Sequence, residues 1–176
     1  EKYKLGYVTE NRKEEGLMLD ASVGTNTTIT VWSNLINKIR KIDTKEEKKI
    51  IDFMIDKMKV KTPSSETKIG SLSGGNQQKV SIGKWLAANC DILIIDEPTV
   101  GVDVGAKKYI HNLIWNLAKN EGKSIILISS DMPELITLSR RILTFKDQKI
   151  TGEINDLNEK ERTYEEVSNE IGMLMS

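Results

Sequence analysis

With 176 residues, 38% of them hydrophobic and 30% charged, the chain is long and apolar enough to bury a core. Its 26 Lys and Arg balance 26 Asp and Glu, so bulk charge gives no reason to expect a nucleic acid or an anionic membrane as partner. The longest wholly apolar runs, Ile92–Ile95 and Ile125–Ile128, fall far below the ~20 residues of a bilayer span, and the polar first residues lead into no signal-type apolar segment.

Lys4–Val8 reads as a strand at the very start of the sequence, from which an N-terminal truncation is expected. A polar loop, Thr9–Gly16, a brief apolar run at Leu17–Leu19 and a Gly/Thr/Asn-rich stretch over Ser22–Thr30 follow. Ile29, Ile36 and Ile39, with Trp32 and Leu35 beside them, predict a helix from about Ile29 to Lys41. Thr44-x-x-Glu47 reads as a capping box opening a second helix with Ile50, Ile51, Met54, Ile55 and Met58 on its apolar face. Val60–Lys68 is a loop around Pro63. From Gly75 to Ala88 the pattern is helical, with Val80, Ile82, Trp85 and Leu86 buried, and Cys90, the only cysteine, reads as a small buried residue suited to a reducing compartment. Asp91–Asp96 is β-branched and unbroken, as a central parallel strand covered on both faces would be. Asp103 fits as the cap of a helix striped by Ile110, Leu113, Ile114 and Leu117 and closed at Gly122; Ser124–Ser129 reads as a second buried strand. Asp131 and Pro133 start a further helix. Ile142–Phe145 and Lys149–Glu153 form a hairpin turning at Asp147-Gln148, and Thr163-x-x-Glu166 caps a final helix. Apolar strands alternating with helices argue for an α/β core with a parallel sheet.

The chemistry concentrates between Ser71 and Val104. A Ser-Gly-Gly turn opening a helix sets backbone N–H groups and a hydroxyl at the positive end of the helix dipole, where glycine allows a phosphate to approach closely. Asp96 ends a strand at the carboxyl edge of the sheet, where open α/β folds place their ligands. Glu97 beside it points to the other face of the strand and so has a different role. Set against these, Ser-Gly-Gly also fits an ordinary helix start, Asp-Glu-Pro a solvated turn, and Asp103 a simple cap.

Leu72-Ser73-Gly74-Gly75-Asn76-Gln77-Gln78 resembles the signature motif of ATP-binding-cassette (ABC) ATPases, and Ile92–Thr99 their Walker B segment, in the same order and at the family's separation. Ile55–Pro63, Ile69–Val80 and Ile128–Leu135 extend the likeness to the C-terminal cassettes of bacterial sugar-import ATPases, those for galactose and methyl-galactoside above all, with ribose and nucleoside importers near. The resemblance implies a partial P-loop NTPase fold: a strand and Q-loop equivalent in 1–24, a helical subdomain in 25–78, a core carrying Walker B, D-loop and switch in 79–153, and a C-terminal helix in 154–176. It implies ATP and Mg²⁺ as cofactors, with Ser73, Gly74, Gly75, Gln77, Asp103 and Ser130 facing nucleotide, Asp96 and Glu10 the metal, and Glu97 as general base. The implied partners are an N-terminal cassette of the same polypeptide, transmembrane permease subunits and, indirectly, an extracytoplasmic sugar-binding protein, on the cytoplasmic face of the bacterial inner membrane; nucleic acid is not among them.

The pattern breaks in three places. The phosphate-cradling G-x-x-x-x-G-K-[ST] is absent from these residues, Glu10 stands where the family has its Q-loop glutamine, and Ser130 stands where it has the switch histidine. The only histidine, His111, falls inside a predicted helix. The expectation is a degenerate site in this half, with the signature turn donated to the other cassette's ATP. Two further readings compete: an ABC protein outside transport, against which the neutral charge and the NQQKV continuation speak, and a pure interaction module.

Overall fold

Strands β1 (Leu5–Val8), β2 (Ile92–Asp96) and β3 (Ser124–Ile128) form one sheet in that order, so the Asp-bearing strand lies in the middle. In this computed structural model, which describes residues 3–37, 40–155, 157 and 162–175, β1 runs parallel to β2, pairing Leu5 with Ile92 and Val8 with Ile95. The chain divides into two compact units, Glu1–Ile126 and Leu127–Ser176. That boundary falls inside the segment 79–153 read as one core from the sequence.

Burial alternates along β2. Leu93 and Ile95 are wholly enclosed, whereas Ile92, Ile94 and Asp96 are half-buried. The expectation of a strand covered on both faces is therefore corrected: the apolar run fills one closed face and one half-open face. The closed face is made by helix α4 (Gly74–Ala87), whose Val80, Ile82 and Leu86 are buried. It packs so near that a Cβ on Gly6 of β1 would sit 2.9 Å from Trp85 Cβ and Cγ. Trp85, expected to be buried, is half-buried, although its Nε1 is enclosed without a hydrogen-bond partner. β3, expected to be a buried strand, exposes Ile126 by 53% and Ile128 by 47%. Lying at the end of the strand order, it is hydrogen-bonded on one side only by the described strands.

The helix expected over Ile29–Lys41 is not formed. Helix α1 (Val23–Thr28) starts earlier, capped by Ser22 Oγ on the Thr25 N–H at 3.0 Å. It ends where Thr27 and Thr28 turn their hydroxyls back onto the Val23 and Gly24 carbonyls, the local competition that bends helices at threonine. A 3₁₀ turn over Ile29–Val31 and the one-turn helix α2 (Trp32–Leu35) follow, and Ile36 is extended and bridged to Ile42. Ile29 and Ile36 are exposed rather than aligned on a core face, and Ile39 lies outside the described residues. Helix α3 (Thr44–Lys57) is capped by Asp43, which accepts from Lys45 N and Glu46 N, not by Thr44. Glu47, expected to complete the box, instead accepts from Thr28 Oγ1 and Trp32 Nε1, both at 2.8 Å, and so fastens α3 to α1 and α2.

Helix α5 (Val104–Lys119) begins at Asp103, which accepts from Ala106 N at 2.8 Å, and buries Ile110, Leu113, Ile114 and Leu117 as expected. Past its end Gly122, at φ +66°, reverses the chain and lets Lys123 N reach the Leu117 carbonyl. Cys90 is buried, and its burial raises the thiol pKa.

In the second unit, helix α6 (Met132–Leu138) is capped by Asp131 on Glu134 N with Pro133 in its first turn. Strands β4 (Ile142–Lys146) and β5 (Lys149–Ile154) form an antiparallel hairpin whose turn residues Asp147 and Gln148 both have positive φ, the twist a tight hairpin requires. Helix α7 (Tyr164–Met175) covers the hairpin, and Ile142, Ile154, Val167 and Ile171 make the core. Its capping box is reciprocal: Thr163 N donates to Glu166 Oε2 at 2.8 Å, and Glu166 N donates to Thr163 Oγ1. That backbone bond, more than any other influence, lowers the Glu166 carboxyl pKa. A carboxyl lowered on folding stabilises above its unfolded range and loses that contribution as pH falls through its folded value. Acidification should therefore fray the first turn of α7, and Glu166→Gln should flatten this response. Amide exchange at Glu166 and Val167 reads it, and equal protection at neutral and acid pH would contradict it.

Candidate functional site

Three segments from distant parts of the sequence meet at the start of α4. Ser73 is the N-cap residue, extended at φ −61°, ψ 154°, and it carries no side-chain cap bond. Its Oγ instead accepts from Asn76 Nδ2 at 3.0 Å, while Asn76 Oδ1 accepts from Lys61 N at 2.9 Å. With an amide donating to its oxygen, the Ser73 hydroxyl keeps its proton for another acceptor. The N–H groups of Asn76 and Gln77 both turn onto the Ser73 carbonyl, so the first-turn donors left for a ligand are those of Gly74 and Gly75.

The two glycines have a second reason to be there. A Cβ on Gly74 would lie 2.4 Å from the Gly101 carbonyl oxygen, and one on Gly75 would lie 2.5 Å from Ala106 Cβ. The close approach the sequence suggested for a phosphate is thus also the close approach of α4 to the turn before α5. Asp103 caps that neighbouring helix, and Ser73, Gly75, Asn76 and Asp103 line one concavity of about 360 Å³, with Lys61 on its rim.

The third segment is the stretch after β1, read from the sequence as a polar loop. Arg12–Gly16 forms a single π turn, and Arg12 is only 6% exposed. Its guanidinium donates from Nη1 to the Val100 carbonyl at 2.8 Å and from Nη2 to the Gly101 carbonyl at 3.2 Å. Burial lowers the Arg12 pKa. Arg12 carries no signal in the sequence, and Asn76 and Lys61 lie in stretches that resemble the family without marking a role of their own. A basic residue in a charged stretch and an asparagine beside a glycine pair carry no periodic signal.

The carboxylates sit at the carboxyl end of the sheet. Asp96 closes β2 and accepts from Tyr7 Oη on β1 at 3.0 Å; that bond is the main cause of a raised Tyr7 pKa. Glu97 follows with φ +44°, a left-handed conformation that a glutamate enters only under local constraint. Glu10 lies exposed just past β1, at the same end, because β1 and β2 are parallel and in register. Among the described residues no three His, Cys, Asp or Glu side chains gather to hold a metal. An Asp-Glu pair without a cage suits Mg²⁺, which takes one or two carboxylates and fills its other positions from phosphates and water.

One of the expected nucleotide residues does not face the concavity. Gln77 is 4% exposed and turns inward, its Nε2 on the Ile69 and Leu72 carbonyls, where it braces the 3₁₀ turn ahead of α4. Asn76, one residue earlier, holds the outward position. Ser130 is exposed and follows β3 in the second unit.

A family model described as ABC transporter matches residues 3–100. The chain is 50% identical over 149 residues to the ribose import ATP-binding protein RbsA of Clostridium perfringens (strain SM101 / Type A), covering 85% of this chain and 30% of that protein. It is 48% identical over 145 residues to the galactose/methyl galactoside import ATP-binding protein MglA of Escherichia coli (strain K12), covering 82% and 28%. Among solved structures it resembles a dimeric post-hydrolysis state of the ATP-binding cassette MJ0796 bound to ADP and Pi, at 25% identity and a TM-score of 0.71 over 87% of this chain and 63% of that one. Fold and turn together define part of an α/β ATP-binding cassette. The chain belongs to the ABC transporter family, and it spans less than a third of the length of these two import proteins.

Proposed function

We propose that this chain is part of the ATP-hydrolysing subunit of a bacterial ABC importer that energises uptake of a small sugar. The observation that carries the reading is the open Ser73-Gly74-Gly75 turn sharing one concavity with Asp103. A hydroxyl donor and two first-turn amides there suit the γ-phosphate of a nucleotide held by an opposing cassette. Asp96 would hold Mg²⁺ from its β2 terminus, and Glu97 would orient the attacking water. When bound, the Mg²⁺-nucleotide supplies the phosphoryl group; this chain's residues hold charge and orient around it. The opposing cassette belongs to the same polypeptide in this reading, with permease subunits in the membrane and an extracytoplasmic binding protein delivering the sugar. The subunit sits peripherally on the cytoplasmic face; no helix among the described residues is long and apolar enough to cross a membrane. Ribose and galactosides are both represented among the import relatives, at 50% and 48% identity, and either fits.

Glu10 and Ser130 stand at two sensor positions of this half's own site. In this reading the signature turn serves the other cassette's site, and the substituted sensor positions Glu10 and Ser130 leave Glu97 facing a weaker one. In a full-length ATPase containing this sequence, Ser73→Ala should abolish ATP hydrolysis and transport, while Glu97→Gln should reduce them much less. Equal losses in the two variants would sink the asymmetry.

A further inference from the structure

We propose that Arg12 is a positioning residue: it fixes the Val100–Gly101 turn against the start of α4, so that Ser73 and Asp103 are presented on one surface. The nucleotide consequence rests on the function proposed above; the placement itself rests on geometry alone.

A guanidinium that is 6% exposed needs its hydrogen bonds met, because an unsatisfied buried cation is costly. Here two carbonyl oxygens meet its Nη1 and Nη2, both in the turn that leaves Glu97, while Nε is enclosed without a hydrogen-bond partner. The planar fork reaches successive carbonyls at once, which a lysine ammonium on a flexible stem does less well. Gly101 adopts φ +68°, and the carbonyl that accepts from Arg12 is the one facing Gly74 at the distance that excludes a Cβ. The ideal Gly74 Cβ would also lie 2.8 Å from Arg12 Nη2. One cation thus bonds the turn ahead of Asp103 and lies beside Gly74 in the turn that carries Ser73.

Its own anchor is firm. Thr9 Oγ1 donates to Glu15 Oε2 at 2.6 Å, Asn11 Nδ2 donates to Glu14 Oε2 at 2.8 Å, and Lys84 of α4 donates to the Gly16 carbonyl. A Cβ on Gly16 would lie 3.3 Å from Arg12 Cβ. The segment that begins at Glu10 is therefore folded onto α4 at one end and onto the Val100–Gly101 turn through Arg12.

The test uses a full-length ATPase containing this sequence, with Arg12→Gln, Arg12→Lys and Ser73→Ala. Displacing the two turns should lower kcat for ATP roughly 10- to 100-fold in Arg12→Gln. KM should stay within about twofold, because a residue that only positions the turns touches no part of the nucleotide and its loss falls on turnover. Arg12→Lys should recover part of the loss through one of the two carbonyl bonds. Amide exchange should quicken about tenfold over Gly101–Ala106 and Gly74–Gln77 in Arg12→Gln, while Ile50–Lys57 of α3 keeps its protection. Unchanged kcat, or unchanged exchange in the two turns, would overturn the proposal, and so would an equal loss of protection in α3. Full activity in Ser73→Ala would remove the nucleotide reading instead, leaving the exchange results to decide the placement by themselves.

Discussion

Gly75→Ala should destabilise the chain by about 1–3 kcal/mol and, in a full-length ATPase containing it, lower ATP turnover about 100-fold. The added methyl would lie 2.5 Å from Ala106 Cβ, closer than carbon atoms approach, and neither partner has a flexible end that can swing aside. Relief has to come from separating α4 and α5. That separation moves Ser73 away from Asp103 and opens the bed in which the Gly101 carbonyl lies. Gly172→Ala is the matched control. Nothing lies within 4 Å of its ideal Cβ, and it sits in α7 without a positive φ. There the same methyl should stabilise by roughly 0.4–1 kcal/mol, through the unfolded state. Urea unfolding of the two variants, with ATPase assays on each, tests the pair. A Gly75→Ala variant as stable and active as the parent would mean that the helices are not held at this distance.

Leu93→Ala should cost about 2–5 kcal/mol. Leu93 is wholly enclosed in the middle strand, beside Gly6 and beneath α4, so no neighbouring strand end is free to collapse into the space. Ile94→Ala, on the half-open face of the same strand, should cost under about 2 kcal/mol, since less of its surface leaves water on folding. The difference between adjacent positions is the informative quantity. It appears as a shift in denaturation midpoint with an unchanged m-value. Equal losses would mean that both faces of β2 are covered in solution.

Much of this was legible in the sequence because it is written in period and punctuation. The four-residue run Ile92–Ile95 between Asp91 and Asp96, the Asp103 cap, the Asp147-Gln148 turn and the Thr163/Glu166 box all formed where their residue types require. Periodicity misled where threonines interrupt it. Ile29, Ile36 and Ile39 keep helical spacing, yet Thr27 and Thr28 break the helix before that spacing is used. Asp43 outcompeted Thr44 as cap because its carboxylate reaches two N–H groups at once. At the site, the glycine pair and the Asp96-Glu97 pair could be read in one dimension. The left-handed backbone at Glu97 and the carbonyl clasp of Arg12 could not, since each depends on what the fold brings alongside.

Gly6 and Trp85 carry a consequence for how such cassettes vary. The indole of Trp85 rests on the bare backbone of β1, with 2.9 Å to where a side chain would begin. The helix-to-sheet spacing is set by the sum of two side chains, one absent and one large. A homologue that gains a methyl at position 6 must shed bulk at position 85, or move α4, and the signature turn at its head, outward. Positions 6 and 85 should therefore change in step across natural sequences, as one size parameter shared between two sites.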